Sequence, residues 1–325
     1  MATYIGKLIN IWVGTETSRG QGASSFDYIP KLSFSFDTKI EVENNEAEIW
    51  KLAKSTDTCV SKISWEWEVE GHLWVNLIWY FIKNMLWDVS SVETASSSWA
   101  YKHTFALAHN NLHPSLAISI VEPNQNEVFP LVMCESLEIS WEPGKCLNFK
   151  SSFKSKNATS ASNTATYNKD YNLNANNISV KIADNEAGLS SGTNLDLLNF
   201  EIKFETDLED VVEIWSNEVK EIFNKLVEIS GSFELLYDTN DYKNLYLNQT
   251  KKAIWIYIED TGTVIGSNSD HPKLNIVLPR VNLEEWARNV DEESIVQQTI
   301  WFKALYDVEN DKLVDVELVN TKSSY

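Results

Sequence analysis

The chain has 325 residues, 43% of them apolar, including 13 Trp, 12 Tyr and 13 Phe. That is ample for two domains with buried cores, and it excludes disorder along the whole length. The formal net charge of −20 divides into −5 over residues 1–165 and −15 over residues 166–325, which excludes tight binding to a nucleic-acid backbone.

The segment Tyr4 to Val13 is apolar enough for a strand, and the Gly- and Ser-rich stretch Gly14 to Ser25 breaks it. Leu32, Phe34 and Phe36 alternate with Ser33 and Ser35, which predicts a half-buried strand. Ile63, Trp65, Trp67 and Val69 alternate in the same way with Ser64, Glu66, Glu68 and Glu70. Leu73 to Met85 has a wide apolar face and predicts a helix. Ser136, Glu138, Ser140 and Glu142 line one side of a further strand. Ser151 to Asn177 is rich in Ser, Asn, Thr and Ala and predicts a linker or a long exposed loop. Strands are predicted over 178–182, 200–204, 253–258, 274–278, 299–306 and 313–319. The spacing of Leu208, Val211, Trp215, Val219, Ile222 and Leu226, behind a Thr206-x-x-Glu209 capping pattern, predicts a helix over 208–226. A shorter helix is predicted over 283–289.

The chain also repeats itself. Lys31 to Phe36 matches Leu197 to Ile202, Glu48-Ile49-Trp50 matches Glu213-Ile214-Trp215, and Ile63 to Glu68 matches Ile229 to Glu234, at shifts of 165 or 166. His113-Pro114 matches His271-Pro272 at 158, and the turn at Pro143-Gly144 has a counterpart at Asn310-Asp311. The expected fold is therefore mainly β: two tandem β-sandwich or barrel domains, each with a packed α-helix and long hairpins. An N-terminal domain over 1–150 carries an arm over 14–27. A linker over 151–177 joins it to a C-terminal domain over 178–325.

No catalytic constellation stands out. His103, His109 and His113 do not have zinc spacing, and Gly262 to Ser267 lacks the lysine of a phosphate loop. Cys59, Cys134 and Cys146 show no CxxC pairing and read as reduced thiols. We expect no enzyme activity, no metal and no cofactor. Met1 to Thr15 does not read as an export signal, and no stretch approaches the length of a membrane-spanning helix. The acids Glu66, Glu68, Glu70 and Glu234 fall on one strand phase, and a water-lined wall that repels a polyanion accounts for them, as does plain solubility. The tryptophans leave open a carbohydrate-binding protein of two β-sandwiches.

The start of the chain carries a resemblance. Ile11-Trp12-Val13-Gly14-Thr15-Glu16-Thr17-Ser18-Arg19-Gly20, followed by Tyr28-Ile29-Pro30 and Leu32-Ser33-Phe34-Ser35-Phe36, resembles tail tube proteins of long-tailed bacteriophages. His103-Thr104-Phe105, Pro114-Ser115-Leu116-Ala117-Ile118 and Ser136-Leu137-Glu138-Ile139-Ser140 are similar to later motifs of that family. The resemblance implies a virion protein that adds strands to its neighbours' sheets and stacks as rings into a channel for double-stranded DNA. With a duplicated domain, three chains would form a pseudo-sixfold ring; six chains are the alternative. Tape-measure and other tail proteins are the implied partners, and the host cytoplasm is the implied site of assembly. Gly14, Thr15, Glu16, Thr17, Ser18, Arg19 and Gly20 are expected to form a ring-stacking arm that orders only when it meets a neighbouring subunit or the next ring. A terminator ring that caps the tube is the alternative within the family.

Overall fold

The computed structural model describes residues 5–46, 54–160, 170–173, 175–290 and 295–323. The first half runs β1 (Asn10–Thr15), β2 (Asp27–Tyr28), β3 (Lys31–Asn45), β4 (Asp57–His72), α1 (Val75–Leu86), β5 (Trp87–Glu93), β6 (Tyr101–Leu107), β7 (Leu116–Val121), β8 (Asn126–Trp141), β9 (Asn148–Ser155) and β10 (Thr159–Ser160). The second half runs β11 (Ile178–Ala183), β12 (Thr193–Asn194), β13 (Leu197–Val212), β14 (Val219–Leu236), α2 (Asp241–Leu247), β15 (Lys252–Glu259), β16 (Lys273–Asn289), β17 (Gln297–Ala304) and β18 (Asp315–Asn320).

The fold is mainly β. Its spine is an eight-stranded antiparallel sheet in the order β3–β4–β9–β8–β13–β14–β17–β16. Strict alternation gives this sheet one apolar face, with Trp67, Val69, Phe149, Phe153, Leu137, Ile139, Phe200, Ile202, Phe204, Phe233 and Phe302 all buried. β8 and β16 are long enough to leave the spine and join smaller sheets. The front of β8 pairs with β7, which pairs with β1, and β1 with β2. The front of β16 pairs with β15 and β18. β15 leads on to β11 and β12, and β18 to β6 and β5. One apolar cluster runs from Ile11 to Leu318, so the two halves share a core.

The helix predicted over 73–85 is α1. Its sides are buried all round, under Phe149 and Phe153 on the spine and against β5, β6 and β18. Trp74 at its N-cap has no side-chain oxygen to offer. The Asp170 carboxylate accepts instead from the Asn76 and Leu77 N–H groups at 3.0–3.3 Å.

The helices predicted over 208–226 and 283–289 are not helices. The first is the far end of β13, a turn and the start of β14; the second is the end of β16. Helical spacing was present, but tertiary packing overrode it: Leu208, Val219 and Ile222 close on Leu131 and Met133 at the bend of β8. A helix there would have buried Trp215 as well, yet Ile214 and Trp215 stand in water at the hairpin tip. The linker reading also yields in part, because Ser151–Ser155 belong to β9 and Leu173 is fully buried. Residues 161–169 and 174 lie outside the described residues.

The order of strand pairings in the first half recurs in the second. β1–β7–β8–β9–β4–β3 is matched by β11–β15–β16–β17–β14–β13, with β2 and β12 and also α1 and α2 in corresponding places. Even the irregularities coincide. The bulge between Cys134 and Ser136, opposite Phe153 and Ser152, recurs between Leu283 and Glu285, opposite Phe302 and Trp301. The bulge between Leu116 and Ile118 recurs between Lys252 and Ile254. On this alignment Phe129-Pro130-Leu131-Val132 falls on Leu278-Pro279-Arg280-Val281, and Phe153-Lys154 on Phe302-Lys303.

Two of the sequence matches do not survive the alignment. His113-Pro114 precedes β7 but His271-Pro272 precedes β16, and the turn at Pro143-Gly144 joins β8 to β9 while Asn310-Asp311 lies between β17 and β18. The match over β4 shifts by two residues, so Gly231 corresponds to Trp67 rather than Trp65. Glu48-Ile49-Trp50 lies outside the described residues.

Candidate functional site: the polar face of the spine and the N-terminal arm

Every second residue of the spine points away from the core, and together these residues form one continuous polar surface. Glu66, Glu68 and Glu70 on β4 lie opposite Lys154, Ser152 and Lys150 on β9. Ser136, Glu138 and Ser140 on β8 come next, then Glu201, Lys203 and Glu205 on β13. Glu228, Ser230, Ser232 and Glu234 on β14 meet Lys303, Trp301 and Thr299 on β17. The four acids singled out from the sequence therefore share this face, although Glu234 on β14 lies four strands away from the others on β4.

Lysines interleave with the acids. Lys39 lies 3.8 Å from Glu66, Lys150 3.2 Å from Glu68, Lys203 2.7 Å from Glu205 and Lys303 2.6 Å from Glu228. Glu70 accepts from the Ser33 hydroxyl at 3.0 Å. Acids still outnumber bases, and partial burial, with Glu138 beside it, raises the Glu201 carboxyl above the usual carboxylate range. Glu142 is not part of this surface; it pairs with Lys145 in the β8–β9 turn. Sequence alternation identified Glu66 and Glu68, but the lysines beside them, Lys39 and Lys150, sit on β3 and β9 and only the pairing reveals them.

The arm is ordered within its own chain, contrary to the sequence expectation. Glu16 is buried, and its carboxylate accepts from the backbone N–H of Gly20 at 2.6 Å, Gly22 at 2.8 Å and Leu131 at 3.1 Å, and from the Ser115 hydroxyl. A carboxylate so fully hydrogen-bonded fixes a loop that composition alone marks as flexible. Gly20 and Gly22 take positive φ, and a side chain on Gly14 would meet the Ser25 carbonyl at 2.2 Å. Arg19 crosses to the second half, pairing with Glu221 at 2.7 Å and donating to the carbonyls of His113 and Ile222. The arm is thus a clasp between β8 and the β13–β14 hairpin. Thr15 is half-buried at the end of β1, leaving Thr17 and Ser18 exposed.

The histidines have structural surroundings. His103 is fully buried between Ser91, Asn320 and the Lys322 carbonyl, and burial lowers its proton affinity. Among the described residues no group of three His, Cys, Asp or Glu side chains is placed to hold a metal ion, and no helix is long and apolar enough to cross a membrane.

A family profile described as phage tail tube protein matches residues 89–277. That span is more than half of the chain. The chain belongs to the phage tail tube protein family. The matched region runs from β5 into β16 and so takes in parts of both halves, including the β8–β13 junction between them. Membership makes this a structural component of a phage tail. No curated protein matches the chain.

Proposed function

We propose that the chain is a duplicated tube subunit, that three copies close into a ring, and that rings stack into the channel through which the genome leaves the virion. The observation that carries this is the spine: a sheet polar on one face, apolar on the other, and, among the described residues, open along the outer edge of β3 and the end of β16. Pairing of those ends between copies would close a barrel with the polar face inward. Strands about 4.8 Å apart and tilted by about 40° give three such sheets, about 24 strands, a backbone diameter of about 50 Å. That leaves room for a DNA duplex. Six copies would give about 100 Å, far more than a duplex needs, so three chains fit the function better. The recurring pairing order and shared bulges support duplication. The chain's role is then structural, without catalysis.

The wall would carry Glu66, Glu68, Glu70 and Glu234 toward the DNA. The acid excess keeps the duplex from adhering, and the interleaved lysines keep the wall from repelling itself. Replacing Glu66, Glu68 and Glu70 with Lys should permit assembly and slow DNA ejection; unchanged ejection kinetics would remove the electrostatic role. Stacking would use the exposed Thr17 and Ser18 of the arm and the Ile214-Trp215 tip. The Trp215→Ser and Ser18→Arg variants should form rings that do not stack, and tubes of normal length would contradict this.

Negative-stain electron microscopy over a concentration series tests the whole proposal. Hollow tubes or stacked rings of threefold symmetry are the expected result. Single rings that never stack would favour a terminator, and isolated particles at every concentration, with glycan binding, would favour a sugar-binding protein.

A further inference from the structure

We infer that one copy's β3 pairs antiparallel with the next copy's β16, with Ser35 opposite Asn289, Asp37 opposite Ala287 and Lys39 opposite Glu285. This rests on the ring proposal but goes beyond it, because the chain contains its own template for the joint. Inside the chain, β13 pairs with β8 in a fixed register: Glu201 opposite Ser140, Lys203 opposite Glu138 and Glu205 opposite Ser136. β3 corresponds to β13 at a shift of 166 and β16 to β8 at a shift of 149, both fixed by their pairing with the next strand inward. Carrying the β13–β8 register through those shifts yields the β3–β16 register.

Burial supports the correspondence independently. At the internal joint Ile202, Phe204, Thr206 and Leu208 on β13 are buried, as are Leu137, Ile139 and Trp141 on β8. The corresponding residues at the free ends are not. Ile40 and Val42 are 54% and 52% exposed, while Thr206 and Leu208 are 3% and 9% exposed. Phe36 is 40% exposed where Ile202 is fully buried, and Val290 is 65% exposed where Trp141 is 5% exposed. Among the described residues, the outer edge of β3 over Ser33–Lys39 pairs with no other strand, and Glu285–Asn289 of β16 pairs only with β17. A long apolar edge of this kind invites strand addition. In the inferred register Phe36 and Val290 lie on the core face, while Lys39 faces Glu285 on the polar face, a favourable cross-strand pair.

The joint is tested with paired cysteines in a Cys59→Ser, Cys146→Ser background. Ser35→Cys with Asn289→Cys places thiols on opposed residues, whose Cα separation of about 4.5–5.5 Å suits a disulfide. Asp37→Cys with Asn289→Cys is the control, offset by two residues on the same face. Under mild oxidation of assembled protein, the matched pair should give a dimer and trimer ladder on a non-reducing gel, at least tenfold more than the control. Rings seen by microscopy with no ladder from the matched pair, or with an equal ladder from the control, would overturn the register and leave the ring proposal standing. Absence of rings at every concentration would overturn the ring proposal and this joint with it.

Discussion

The two long hairpins hold corresponding places in the pairing order but stand in different circumstances. β13–β14 lies against β8 along one edge, and its far end is locked by Leu131, Met133 and the Arg19 clasp. β3–β4 has the corresponding strands and an alternating apolar face, yet its outer edge and far end are exposed. The contrast teaches that one hairpin is completed by its neighbour in sequence, while the other keeps an open outer edge among the described residues, the edge that the proposed ring would cover. The helices differ likewise: α1 is roofed by β5, β6 and β18, whereas α2 has no buried residue, because nothing corresponding to the β5–β6 hairpin follows it.

The largest expected effect breaks the completed hairpin. Ile202→Ala should destabilise the protomer by about 2–5 kcal/mol through lost burial and a residual cavity, measured by urea denaturation. The corresponding Phe36→Ala should cost the protomer only about 1 kcal/mol yet abolish ring formation in native mass spectrometry. Equal destabilisation by the two would mean that both hairpins are completed within the protomer.

Gly231 stands where the first half has Trp67. An added Cβ would lie 2.5 Å from the Phe302 ring and 2.3 Å from the Glu201 carbonyl, so that ring occupies the space. Gly231→Ala should cost about 1–3 kcal/mol by overpacking, read as a lowered melting temperature. A neutral result would show that β14 and β17 can separate freely.

Asp170 beneath the α1 N-terminus gives the protomer a pH dependence. Burial raises the Asp170 carboxyl from 3.8 to about 6. The folded state then holds its proton more tightly than the unfolded state, so this group's contribution to stability falls as pH rises from about 4 through 6. Asp170→Asn should flatten that segment of the stability–pH curve in urea titrations, and an unaltered slope would assign the titration elsewhere.

Much of the fold was legible in the sequence. Alternation in Ile63 to Glu70 and in Phe200 to Phe204 dictated strands and their polar face, since side chains on a strand alternate sides whatever lies nearby. The apolar residues over 73–85 dictated α1. The family signature was legible too, and its residues now have causes: Gly14 for a close carbonyl, Glu16 for backbone donors, Gly20 for positive φ. What failed was whatever depends on a distant partner. Leu208 and Ile222 had helical spacing, and only the bend of β8 made them a hairpin. The arm looked loose because the residues that order it, Ser115, Leu131, His113 and Glu221, lie about a hundred or more positions away. The repeat was visible at 166 but lost at 149, because the intervening segments differ in length and strand identities are weak. Local periodicity determined which face of each strand is wet; only tertiary pairing decided which strands lie side by side and which edges remain open, because hydrogen-bond partners in a sheet are chosen across space and not along the chain.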